Sequence, residues 1–274
     1  MPFTPSHAVV ALPFIRTPLI PAAVAIGAMT PDLPLFLRGF GVTYAFTHTN
    51  GKVVWTGLIA FLLFLLWRVV LRPLAGRLAP RWVARRLPGE WDQPAWRAAQ
   101  DAVGVGRAWW YPFMLAVSLL LGVISHILWD AFTHEGRAGS DWLPVLAEQW
   151  GPLAGYKWLQ HGSSVVGLII IGIWMLWWIR RAPVRAIPET TRLETAVRIS
   201  WWVALPVILI GFWTFGYFAY GPLTAEFTVQ HLAYRTLPRA AGIWAMLTLA
   251  LCVVLTIWPG QRRTDAAAAG APRG

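Results

Sequence analysis

Residues 109–134 read WWYPFMLAVSLLLGVISHILWDAFTH. No Asp, Glu, Lys or Arg precedes Asp130 in this run, and it exceeds the roughly 20 apolar residues a helix needs to cross a bilayer. The stretch therefore reads as a membrane helix, and its far end carries His126, Asp130 and His134 at steps of four. Each step of four turns the helix direction by about 40°, so the three side chains leave one face over roughly 12 Å. Two imidazoles and a carboxylate on one intramembrane face are costly unless something satisfies them. A divalent metal does so; a hydrogen-bond network with neighbouring helices is the competing reading.

Working outward, the whole chain has the same character. Its 274 residues are 57% hydrophobic and 13% charged, with mean hydropathy +0.54, where a soluble protein carries about 25% charge. Four more apolar runs fall at about 52–71, 160–178, 199–220 and 240–258. The expectation is an all-α, polytopic helical membrane protein with five spans and a proline-broken, re-entrant N-terminal helix pair. Residues 1–260 read as one integral membrane domain, and the Ala/Gly-rich 261–274 as a disordered tail. No internal repeat and no strand pattern is visible.

The N-terminal pair is predicted from its prolines. Thr4-Pro5-Ser6 reads as a helix start with Ser6 as cap, and Pro13, Pro18 and Pro21 favour one short helix to Phe14 and a second from Pro21 to Met29. Such a pair returns to its own side of the membrane and brings His7 close to Asp32, which sits in the stiff Pro31-Asp32-Leu33-Pro34 turn. The start lacks the basic residues and small-residue cleavage site of a signal peptide, so no removed leader is expected.

Net charge is +11. The arginines lie in loops, which points to membrane orientation and away from nucleic-acid binding. The polar 72–107 loop, with an amphipathic interfacial helix expected over 78–87 around Trp82, the 180–198 loop and the tail are the arginine-rich segments. Alternation over five spans puts all three on the cytoplasmic side. His48, the Asp130–His134 end of the second span and His161 then share the non-cytoplasmic side, and a re-entrant N-terminus adds His7 and Asp32. The lone Cys252 excludes an intrachain disulfide and a cysteine-based zinc cluster. Any metal must use His and Asp or Glu.

His7, Asp32, His48, His126, Asp130 and His134 are thus the expected metal ligands, with zinc the expected ion because it favours imidazole and carboxylate. Each also has a plainer reading. His7 fits a helix N-terminus, Asp32 a turn former, His48 an exposed loop histidine, and His161 a head-group contact. Glu135 and Asp141 read as solvated loop charges, His231 stands apart, and Ser163 and Ser164 read as caps of the third span rather than nucleophiles. Most tryptophans read as interfacial belts.

MPFTPSHA at 1–8, GAMTPD at 27–32, HILWDAFTH at 126–134 and QHGSSV at 160–165 resemble a bacterial membrane family, the domain-of-unknown-function family numbered 4184. The resemblance covers the chain to about residue 185. The order His, Asp, His, H-x-x-x-D, His is more distantly similar to membrane-bound metal-dependent hydrolases and to zinc-dependent phospholipase C and related nucleases. That similarity implies phosphodiester hydrolysis in an all-helical fold. The chain departs from the soluble enzymes after His134, where their H-x-x-x-E has no counterpart because Val165 follows His161 by four.

The expected function is a membrane-embedded, zinc-dependent hydrolase of a phosphoester on a lipid or lipid-linked substrate at the outer leaflet of a bacterial inner membrane. Asp32 is the expected catalytic carboxylate, bridging metals or accepting a proton from the attacking water. His161, Lys157 and Arg137 are the expected substrate-binding residues, the two cations steering an anionic head group. Two alternatives stand beside it. One is a metal-dependent isoprenoid-diphosphate cyclase or transferase, weakened by the lack of a D-D-x-x-D cluster. The other is a transporter or scaffold, weakened by the lack of a matched second half.

Overall fold

The computed structural model describes residues 3–37, 41–187 and 192–257; the expected tail at 261–274 lies outside the described residues. Among them the chain is helical almost throughout. The only strands among the described residues are a two-residue antiparallel pair, Gln149–Trp150 with Leu153–Ala154. Five helices are long and apolar enough to cross a membrane: Asn50–Leu78, Tyr111–Thr133, Gly155–Arg181, Thr195–Tyr220 and Val229–Leu255. The all-α, multi-pass architecture is that of a helical membrane protein.

Several boundaries differ from the sequence reading, each for a local reason. The first span continues past residue 71 to Leu78 although Pro73 lacks an N–H. A widened π-helical turn at Trp67–Leu71 precedes the proline and absorbs the missing bond. The interfacial helix expected over 78–87 is one turn only, Arg81–Ala84, because Ala79 is held extended before Pro80. The amphipathic segment is instead Ala95–Val103, opened by Pro94 and closed by Gly104 at φ 89°. The third span begins at Gly155 and the fifth at Val229, which accommodates Pro238 within it.

The N-terminal pair forms as predicted, a 3-10 helix at Thr4–Phe14 and an α-helix at Pro21–Met29. Ser6 does not cap it: Phe3 holds that position and Ser6 is buried one turn inside. The Thr4 hydroxyl donates to Asp32 Oδ2 at 2.6 Å, so the start of the first helix meets the end of the second.

By packing, the chain divides into two compact units, Met1–Val69 with Pro94–Ala182, and Val70–Gln93 with Pro183–Gly274. In the first, Pro21–Met29 lies against Tyr111–Thr133 at backbone distance. A Cβ on Gly27 would strike the Leu119 carbonyl, and one on Gly122 would strike the Val24 carbonyl. Small residues let membrane helices approach this closely. Ala23, Ala60, Phe64, Leu115, Leu119 and Val123 fill the adjoining core. In the second unit Leu74, Leu78 and Cys252 pack together. There the Trp201 indole donates to Thr248 at 3.0 Å, and buried Arg72 pairs with Glu90 at 3.3 Å.

Candidate metal centre

Three separate segments of the first unit bring polar side chains to the same end of the second span. His126 and Asp130 come from that helix, one turn apart. His48 follows the single helical turn Tyr44–Thr47, which the Thr43 hydroxyl caps through Phe46 N–H at 3.2 Å. Asp32 closes the 3-10 turn Thr30–Asp32, positioned by the Gly27–Gly122 contact. One ligand atom from each of Asp32, His48, His126 and Asp130 lies within 4.8 Å of the others, and all four residues are buried.

The hydrogen bonds decide which faces of the imidazoles point inward. His126 Nδ1 lies 2.7 Å from the Ala28 carbonyl, and His48 Nδ1 lies 3.0 Å from the Tyr44 carbonyl. A carbonyl only accepts, so each Nδ1 carries a proton and each ring turns its Nε2 edge inward. These two Nε2 atoms are 3.2 Å apart. Asp130 Oδ2 lies 3.4 Å from His48 Nε2 and 3.5 Å from His126 Nε2, and Asp32 Oδ1 is 3.7 Å from His126 Nε2. Two imidazole Nε2 atoms and two carboxylates therefore converge, the carboxylates accepting from the Tyr44 and Thr4 hydroxyls. Asp32 Oδ1, Asp130 Oδ1 and His7 Nε2 are buried without any hydrogen-bond partner. Buried acceptors facing one another are strongly unfavourable unless a cation sits among them. The donor set, imidazole nitrogen plus carboxylate oxygen, fits zinc and similar divalent ions.

His7 stacks on His126 at 4.0 Å, with its Nε2 3.9 Å from Asp130 Oδ1. Burial, reinforced by neighbouring His126, pushes its imidazole down to about 3, so His7 stays neutral and keeps a lone pair for a ligand. Burial pushes the Asp32 carboxyl up from its ordinary value, opposed by His126 and the Thr4 hydroxyl; an ionised Asp32 needs a cation nearby.

The other expected residues are placed less uniformly. His134 stands at the edge. Its Nδ1 is 3.7 Å from Asp130 Oδ2 but bonds the Asp130 carbonyl at 3.1 Å, and its Nε2 is 3.2 Å from the Gln160 amide. Arg137 lines a pocket of about 140 Å³ that opens onto His48 and Asp130, with Asn50, Ile127 and Ala131. His161 and Lys157 lie on Gly155–Arg181 and belong neither to the group of four nor to this pocket. Ser163 and Ser164 are inside that helix rather than at its start. Ser163 accepts from the Trp129 indole at 3.1 Å and Ser164 from the Phe3 N–H at 2.8 Å, so they staple elements together. Glu135 is engaged by the Tyr156 hydroxyl at 2.9 Å.

Sequence reasoning missed Tyr44. Its ring stacks on His48 at 3.7 Å and its hydroxyl donates to Asp130 Oδ2 at 3.1 Å. The spacing of four between Tyr44 and His48 was the available signal. It also missed Thr4 and Gln160, which reach the site only through the fold.

The family described as a domain of unknown function, DUF4184, matches residues 1–258. The chain belongs to this family. The match runs through the last two spans, past the limit near residue 185 suggested by the motifs alone. No curated protein and no solved structure matches the chain.

Proposed function

We propose that this DUF4184 member is a membrane-embedded, divalent-metal-dependent hydrolase, zinc being the expected ion. Its substrate is a phosphoester on a lipid or lipid-linked molecule. The observation that carries the reading is the inward-facing set of Asp32, His48, His126 and Asp130, four buried residues with one ligand atom each within 4.8 Å of the others, where Asp32 Oδ1 and Asp130 Oδ1 have no hydrogen-bond partner. His7 Nε2, orphaned beside Asp130 Oδ1, extends the set, and His134 stands at its edge with Nδ1 on the Asp130 carbonyl and Nε2 beside the Gln160 amide. When bound, a divalent ion supplies positive charge for phosphoryl oxygens and makes a nearby water acidic enough to attack near neutral pH. Asp32 is oriented by Thr4 through Oδ2, so that its unpartnered Oδ1 would either hold the ion or take the proton of the attacking water. Tyr44 fixes the His48 ring and the Asp130 carboxylate from outside, as the outer partners of metal ligands do.

The arginine distribution supports a bacterial inner-membrane protein whose site faces the non-cytoplasmic side. Metal analysis of detergent-purified protein tests the reading. Stoichiometric transition metal is expected in the wild type, and its loss in His126→Ala and Asp130→Ala. Full occupancy in both variants overturns the ligand assignment. A screen of phosphate esters with metal-replete protein then tests the hydrolase chemistry.

A further inference from the structure

We propose that the mouth of the site is a phosphate-binding position in which Arg137 is the specificity-determining residue, and that it takes the phosphoryl end of a lipid whose apolar body stays in the bilayer. This rests on the metal reading above.

The pocket onto which His48 and Asp130 open measures about 140 Å³, well below the roughly 300–1,000 Å³ of sites that enclose a whole drug-sized ligand. It has room for a small head group only. Arg137 is the one cation among its lining residues. Two carboxylates behind it would repel a bare anion, so the mouth suits an anion only if a metal neutralises Asp32 and Asp130 and Arg137 adds the remaining charge. A guanidinium offers a planar fork of donors that matches two phosphate oxygens at once.

Its placement is built. The Arg137 N–H donates to Ser140 Oγ at 3.1 Å, and Ser140 Oγ donates back to the Arg137 carbonyl at 2.8 Å, which pins the root of the side chain. Gly136 supplies the left-handed turn, φ 64°, just before it. Gly139 lies directly on the Ala131 carbonyl, where a Cβ would fall 2.7 Å away, so the loop is held against the end of the second span. The guanidinium sits over the Tyr44 ring at 5.9 Å, and Tyr44 in turn holds His48 and Asp130. One aromatic ring therefore ties the arginine to two of the four inward-facing residues. No described residue accepts a hydrogen bond from the Arg137 guanidinium, so its donors are open to a ligand. Asn50, at the same mouth, offers an amide.

The test uses detergent-purified, cobalt-loaded protein, whose visible spectrum reports on the site. It is titrated with inorganic phosphate, dihexanoyl phosphatidic acid and dihexanoyl phosphatidylcholine. Phosphatidic acid is expected to perturb the spectrum at concentrations about tenfold below those needed for inorganic phosphate, because its acyl chains add apolar contact. Phosphatidylcholine is expected to leave the spectrum unchanged. Arg137→Ala should weaken both phosphate probes about tenfold to a hundredfold, the range for a charge-assisted bond, with Arg137→Lys between and cobalt content unchanged. Wild-type phosphate affinity in Arg137→Ala overturns this proposal alone, as does phosphatidylcholine binding equal to that of phosphatidic acid. Equal affinity for free phosphate and phosphatidic acid overturns its lipid half. Failure of the wild type to take cobalt overturns the metal reading and this inference with it.

Discussion

The second and fourth spans look alike as sequences and differ as parts. Tyr111–Thr133 and Thr195–Tyr220 are both long, apolar and free of acidic residues except Asp130. Yet 33% of the most apolar window of the second is buried, against 6% for the fourth. In the second, the buried positions are Tyr111, Leu115, Ser118, Leu119, Gly122, Val123, His126, Asp130 and Thr133, a stripe at helical spacing. In the fourth only Gly216 is buried, while Ile210, Phe215 and Phe218 are exposed. An apolar helix can rest against lipid on nearly every side, whereas a helix that carries ionisable groups must turn them towards protein. The helix with the chemistry is the one the rest of its unit covers.

That contrast can be broken most directly at Asp130. Asp130→Ala should remove most bound metal, as read by elemental analysis, while Phe215→Ala in the fourth span should change neither metal content nor melting temperature. Equal loss in both variants would mean that the second span is not special. Next in size is the close contact. Gly122→Val forces a side chain into the Val24 carbonyl and should cost about 1–3 kcal/mol of stability as well as metal content, since Ala28 no longer meets His126 Nδ1. Gly211→Ala in the fourth span, where nothing lies within 4 Å of an added Cβ, should be neutral in the same thermal assay.

Smaller effects sharpen the picture. Tyr44→Phe keeps the ring on His48 and removes the bond to Asp130, so chelator competition should show metal affinity down by about tenfold or more; an unchanged affinity would make Tyr44 mere packing. The smallest effect is on pH. In chelator-treated protein His7 is neutral when folded and titrates near 6.5 when unfolded, so its contribution to stability is complete above pH 6.5 and is lost as pH falls towards about 3. His7→Gln should flatten the acid side of the stability curve over that window, and a curve as steep as the wild type's would contradict the burial of His7.

Much of this was legible beforehand because membrane helices obey simple rules. Run length marks the spans, prolines divide the N-terminal pair, and a spacing of four puts His126 and Asp130 on one face. The boundaries were less legible where proline sits inside a helix near its expected end, as at Pro73 and Pro238. Whether a proline ends a membrane helix depends on which groups take up the freed carbonyl, and that is settled by packing. Tyr44 escaped notice for a related reason. A tyrosine near an interface is ordinary, and only its contact with Asp130, eighty-six positions away in the chain, gives it a role.

By itself, then, the sequence determined an all-α membrane chain, its five spans, its family motifs and the residue types available to a metal. Those follow from local hydrophobicity and helical periodicity, which any short window contains. The tertiary structure alone decided that Asp32 and His48 meet His126 and Asp130 while His161 and Lys157 do not. It also turned the Nε2 edges of His48 and His126 towards each other, because the Tyr44 and Ala28 carbonyls hold the opposite edges of the rings. Convergence of that kind depends on two glycines letting helices touch, a contact between distant segments that no local pattern encodes.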